Sequence, residues 1–210
     1  MEGIMAALGD QQDELEAVLA GLDSEGWAKP SRCPGWTVAD VVLHLAQTDE
    51  LVVASWEGRF AYPAGAGAIG TVDDVAAVMV ARERGESGPA VHARWRAAAS
   101  AQRAALSACD PRQRLPWVAG DLAARTLATT RLSETWIHAG DVAAAVGVAL
   151  APTDRLWHVA RLAWRTLPYA FARSGQALAG PVAAPHGPRR EGLALRRGVG
   201  GPHHGLGARR

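Results

Sequence analysis

Cysteine, lysine, tyrosine and phenylalanine are all scarce in this chain. Its two cysteines, Cys33 and Cys109, stand far apart with no close-spaced partner, which argues against a disulfide framework and against a cysteine-based zinc knuckle. Both read as ordinary residues. Lysine occurs once, at Lys29, among 22 basic residues, and with the abundant alanine and glycine this is the mark of a GC-rich genome. Long apolar runs are missing too. The longest, Val142 to Pro152, falls far short of the roughly 20 residues that a spanning helix needs. The N-terminus lacks the basic patch and apolar block of a secretory signal, so the sequence predicts a cytoplasmic protein without a membrane partner.

What is present is enough apolar material for one sizeable domain: 210 residues, 49% of them hydrophobic. The net charge of +1 conceals an asymmetry. Residues 185–210 hold six arginines and one acid, which leaves 16 basic against 20 acidic residues before them. A mildly acidic body has no electrostatic footprint for nucleic acid, and no nucleic-acid partner is expected.

Apolar residues recur at helical spacing over the first 175 or so positions, and no segment alternates as a strand would. The predicted fold class is all-α, a four-helix bundle. Helices are expected over Ile4–Leu22, Thr37–Trp56, Thr71–Arg84, Pro89–Ala108, Leu122–Val146 and Asp154–Arg173. Thr37 with Asp40, and Thr71 with Asp74, read as N-terminal caps, as do Asp121 and Thr153; Gly147 and Gly175 read as stops, and Pro168 as a kink. The segment around Trp27, Pro30 and Gly35 reads as loop. Residues 1–183 form the expected bundle, and residues 184–210, rich in glycine and arginine without apolar periodicity, form an expected disordered tail.

Gly65, Gly67 and Gly70 have the G-x-G-x-x-G spacing of a dinucleotide loop. That chemistry needs a strand before the glycines and a parallel strand after the following helix, and neither is present. A plain loop is the better reading. No Gly-x-Ser-x-Gly or phosphate-binding motif appears either, which disfavours covalent serine chemistry and phosphoryl transfer.

Glu134 and His138 lie four apart inside the longest predicted helix, so a carboxylate and an imidazole stack on one face. Leu127 and Ala145 continue that face, which points the pair inward. His44, with Val41 one turn before and Leu51 two turns after, also points inward. Such a pair is commonly a helix-stabilising contact, and an inward histidine is commonly a hydrogen-bonded core residue. Three ligand-type groups on two inward faces suggest more: two histidines and a glutamate leave an open position of the sort catalytic zinc uses. Asp49 and Asp141 are candidates to accept the second N–H of the ligand histidines, with solvent exposure as the alternative. Most tryptophans among Trp36, Trp56, Trp95, Trp117, Trp136, Trp157 and Trp164 are expected in the core. Arg131, one turn before Glu134, is the arginine nearest this face and reads as a surface residue.

The run Arg32-Cys33-Pro34-Gly35-Trp36-Thr37-Val38-Ala39-Asp40, followed by His44-Leu45-Ala46-Gln47-Thr48-Asp49-Glu50, together with Glu134-Thr135-Trp136-Ile137-His138-Ala139-Gly140-Asp141, resembles the metal-binding N-terminal domain of mycothiol-dependent maleylpyruvate isomerases, a branch of the DinB-like helical bundles. The likeness spans about Ile4 to Gly175. It implies a divalent metal, zinc above all, held by His44, Glu134 and His138, with mycothiol as the thiol cofactor and a small molecule as substrate. It also implies either isomerase chemistry, in which a thiolate adds to a conjugated double bond and leaves again, or thiol S-transfer. A non-catalytic metal-binding or interaction module is the alternative. The chain departs from the family after about Val182, where a second, smaller α/β domain usually follows. From Pro185 onward it resembles a GC-rich gene read in a shifted frame.

Overall fold

The computed structural model describes residues 1–61, 71–118, 120–177, 180 and 182–185. The Gly65/Gly67/Gly70 run and the tail beyond Pro185 lie outside the described residues. Seven helices and one two-stranded ladder make up the described elements: α1 (Glu2–Leu19), α2 (Ser24–Ala28), α3 (Val38–Trp56), α4 (Val72–Glu83), α5 (Gly88–Ala108), β1 (Arg114–Leu115), β2 (Leu122–Ala123), α6 (Ala124–Val146) and α7 (Leu156–Arg173). No helix among the described residues is long and apolar enough to cross a membrane.

Helices α1, α3, α5 and α6 form the bundle. Its centre is α3, which buries Val38, Val41, Val42, Leu43, Leu45, Ala46 and Val52 against α5 and α6. α1 lays Leu8, Leu15 and Leu19 inward, chiefly along α6. α4 covers part of α3, and α7 packs on α6. Two apolar clusters fill the interior. One gathers Leu15, Leu19, Val41, Leu45, Trp95 and Val142; the other gathers Ile4, Leu8, Val52, Leu106, Leu127 and Leu132.

Between the clusters runs a polar layer to which each bundle helix contributes one fully buried side chain: Gln12, Asp49, Gln102 and Arg131. Gln12 donates to Gln102 at 3.3 Å, Gln102 donates to Asp49 Oδ1, and Arg131 donates to the same oxygen through Nε at 3.2 Å and Nη2 at 3.0 Å. Arg103 closes the layer from the rim by donating to Gln12.

Two helix starts follow their expected caps, whereas Thr153 does not cap α7, which begins at Leu156 after Arg155 without a side-chain cap. Thr37 and Asp40 form a reciprocal capping box at α3, and Thr71 and Asp74 form another at α4. Other boundaries move. Asp121 does not cap α6: Leu122–Ala123 pairs with Arg114–Leu115 as an antiparallel ladder, and α6 begins after it without a side-chain cap. Two-residue strands are too short to leave a periodic signal. The Trp27 segment is helical, capped by Asp23, whose carboxylate accepts from Gly26 N at 2.8 Å. Gly88, at the start of α5, lies flat against the Trp27 ring, and a Cβ there would collide with the indole. α1 starts and stops earlier than expected, at Glu2 and Leu19, and α7 runs through Pro168 to Arg173. Trp95 and Trp117 are buried in the core as expected, but Trp56 is exposed and Trp36, Trp136, Trp157 and Trp164 are only partly covered.

Candidate metal centre

α3 presents His44 and α6 presents Glu134 and His138, and the three side chains meet where the two helices face each other. His44 Nε2 and His138 Nε2 each stand 3.7 Å from Glu134 Oε2. One ligand atom from each residue lies within 4.8 Å of the others. The imidazole rings stand edge to face at 5.1 Å, so neither stacks over the other's nitrogen. Separations of 3.7 Å are too long for good hydrogen bonds, yet they approach the edge of about 3.3 Å of a tetrahedron with bonds of about 2.0 Å. The donor set fits a divalent ion.

Electrostatics supports the same fit. Burial pushes the Glu134 carboxyl upward, but contact with His44 and the charges of Arg131 and His138 outweigh it and bring the pKa down to about 2. Burial, reinforced by His44, lowers the pKa of His138 against the opposing pull of Glu134 and Asp141. A carboxyl that ionises readily and an imidazole that gives up its proton readily both suit metal ligation, which needs the deprotonated ligands.

The next layer fixes the His138 ring. Its Nδ1–H donates to Asp141 Oδ2 at 3.1 Å, which leaves the Nε2 lone pair facing Glu134 and His44. The Cys33 thiol donates to the same oxygen at 3.4 Å and lies 3.9 Å from Nδ1. Burial, then the Asp141 charge, pushes the Cys33 thiol up to about 11. Cys33, His138 and Asp141 could themselves surround a cation, but a protonated thiol that already donates to Asp141 suits a supporting role better. Cys33 is held by a tight loop: Ser31 Oγ accepts from Cys33 N at 3.1 Å and donates to Trp36 O at 2.9 Å, and Gly35 turns the chain at φ +77°. That loop also sets the Trp36 ring against His44 at 5.2 Å.

A cavity of about 80 Å³ adjoins the centre, lined by His44, Glu134, Thr48, Leu51, Met79 and Trp117 among others. Arg131 reaches its wall, where Nη2 donates to Thr48 Oγ1 at 2.8 Å.

All three residues singled out from the sequence are therefore brought together. Three neighbours differ from expectation. Arg131 is not a surface residue: it is 1% exposed and paired with Asp49. Asp49 has no hydrogen bond to a histidine nitrogen among the described residues, and its Oδ1 accepts from Arg131 and Gln102 instead; Asp141, three residues after His138, does accept from the ring. Cys33 stands at the centre rather than apart from it, a placement that only the tertiary fold determines.

The chain matches the family model for the mycothiol maleylpyruvate isomerase N-terminal domain over residues 8–143. Two uncharacterized proteins from two strains of Mycobacterium tuberculosis are each 37% identical to it over 172 residues, covering 80% of this chain and 65% of theirs. The chain thus spans about two thirds of the length of these curated relatives. Crystal structures of the mycothiol-dependent maleylpyruvate isomerase and of an alanine variant of it superpose with a TM-score of 0.65 at 15% identity, covering 84% of this chain and 72% of that one. At that identity the likeness speaks for the fold, while the family match carries the kinship: the chain belongs to the mycothiol maleylpyruvate isomerase N-terminal domain family.

Proposed function

We propose that this chain holds one divalent ion, zinc, through His44, Glu134 and His138, and that the centre serves thiol chemistry on a small molecule with mycothiol as the thiol. The observation that carries the reading is the convergence of three ligand atoms within 4.8 Å inside a bundle of this family. A divalent ion with an open position supplies the positive charge that lowers the pKa of a thiol or water beside it. By kinship the reaction is the cis–trans isomerisation of a small unsaturated acid.

The chain's own residues supply orientation and dryness. Asp141 keeps the His138 proton on Nδ1 and Nε2 free. Trp36 braces the His44 ring, and Leu51, Met79 and Trp117 exclude water from the wall beside the two ligand side chains. In this reading residues 1–183 are the metal-binding unit, and some substrate contacts fall to the smaller domain that usually follows the bundle in the family.

Metal analysis of the untagged protein, followed by calorimetry with mycothiol on metal-loaded and metal-stripped samples, tests the proposal. The expected result is about one ion per chain, its loss in His138→Ala, and thiol binding only when metal is present. Full metal retention in His138→Ala overturns the ligand set. Equal mycothiol affinity with and without metal overturns the thiol role.

A further inference from the structure

A second cavity, of about 190 Å³, lies between the first turns of α6 and one face of α7, and shares no lining residue with the cavity beside the metal centre. Arg125 enters it from α6, and Arg161 and Arg165 enter from α7. His158, one turn before Arg161, and Thr126 and Thr129 of α6 extend its polar wall. None of its nine lining residues is acidic.

Several arginines elsewhere in the described residues are ion-paired, although Arg32, Arg82, Arg112 and Arg173 are not. Arg84 reaches Asp40, Arg94 reaches Glu50 and Glu83, Arg131 reaches Asp49, and Arg155 reaches Glu14. Arg125, Arg161 and Arg165 form no ion pair among the described residues; Arg161 rests 5.5 Å over the Trp157 ring. Arg161 and Arg165 are four apart on one helix, where like charges repel. Burial, followed by the charge of Arg161, lowers the pKa of His158, so the imidazole there adds a neutral donor rather than a fourth cation. Three guanidinium groups lining one cavity that has no acidic wall favour an anion there, because their planar forks match phosphate and carboxylate oxygens; Arg125 and Arg165 are exposed and Arg161 is half-buried. α7 buries none of its own residues, so an anion bridging it to α6 would strengthen its attachment.

We propose that this cavity binds a small dianionic molecule, with Arg125, Arg161 and Arg165 as its charge-bearing contacts. The shared chemistry is that of a phosphoryl group or a short dicarboxylate. The site is independent of the metal centre: on α6, Thr129 lines this cavity while the next residue, Thr130, lines the other.

The test is titration calorimetry and thermal melting of the full chain at physiological ionic strength, using inorganic phosphate and succinate as probes. The expected result is binding of at least one probe with a Kd below about 1 mM and a rise in melting temperature at saturation. The double variant Arg161→Gln/Arg165→Gln should weaken that binding at least about tenfold, whereas Arg173→Gln, in the last turn of α7 and outside the cavity, should leave it unchanged. Phosphate alone binding assigns a phosphorylated ligand, and succinate alone a dicarboxylate. No binding of either probe, undiminished binding in the double variant, or an equal loss in Arg173→Gln overturns the proposal.

Discussion

Replacing Arg131 by methionine is the sharpest test of how the bundle is held together. Arg131 is 1% exposed and Asp49 is fully buried, and the guanidinium is the one ion-pair partner of that carboxylate among the described residues. Asp49 Oδ2 has no hydrogen-bond partner among the described residues, so the variant would leave the carboxyl in the core with only Gln102 donating to it, and the group must either stay charged without a counter-charge or take up a proton. Breaking one side of a buried pair costs about 3–5 kcal/mol, and at this chain length each kcal/mol lowers the melting temperature by about 2–4 °C. A fall of roughly 6–20 °C is expected. Adding Asp49→Asn, which keeps an acceptor for Gln102 and removes the charge, should recover most of it.

The pH dependence gives an independent check. Burial raises the Asp49 carboxyl to about 6, against the opposing influence of Arg131 and Gln102. A carboxyl with a raised folded pKa holds its proton more tightly in the native state. Its stabilising contribution is therefore complete below the unfolded value near 3.8 and is lost as pH climbs toward 6. Without Arg131 that window moves upward, so the deficit of Arg131→Met should narrow when thermal melts followed by circular dichroism are taken from about pH 8 to about pH 5.5. A loss below about 1 kcal/mol, or a double variant no better than the single one, would refute the reasoning.

Two other perturbations read different parts of the molecule. Asp141→Ala should leave the fold intact but weaken metal binding by about 10–100-fold in chelator competition, because His138 loses the acceptor that fixes its tautomer; unchanged affinity would remove Asp141 from the centre. Gly88→Ala should destabilise by roughly 1–3 kcal/mol in urea unfolding, since its Cβ collides with Trp27, a buried ring that cannot swing away; a neutral result would show that α2 yields freely.

The bundle and the meeting of His44, Glu134 and His138 were legible because both follow from periodic signals. His44 sits among Val41, Leu45 and other buried positions of α3, and the i, i+4 spacing of Glu134 and His138 states their common face without any tertiary knowledge. The capping boxes of α3 and α4 were legible for the same local reason. What was hidden depends on contacts between distant segments. Cys33 lies 3.4 Å from Asp141 only because a loop folds back over α6, and no spacing rule couples the two. Arg131 was misread because arginine is abundant here and usually solvated, while its partner Asp49 lies on another helix. The β1–β2 ladder is too short to show alternation, and it took the place of the expected cap at Asp121.

The misread pair bears directly on the proposed metal centre. Asp49 follows His44 by five residues on α3, and Arg131 precedes Glu134 by three on α6, so the ion pair clamps these two helices within about a turn and a half of the ligands. Sliding α3 by one turn against α6 would move His44 by about 5.4 Å, more than the 4.8 Å span of the whole ligand set. Apolar side chains alone define that register weakly, because leucine and valine faces repeat along each helix and pack tolerably in more than one alignment. A charge that has a single buried partner does not. Gln12 and Gln102 extend the same constraint to α1 and α5, so all four bundle helices are keyed at one level. The polar layer thus places two donors on one helix opposite a third on another, a task for which neither hydrophobic cluster has the necessary specificity.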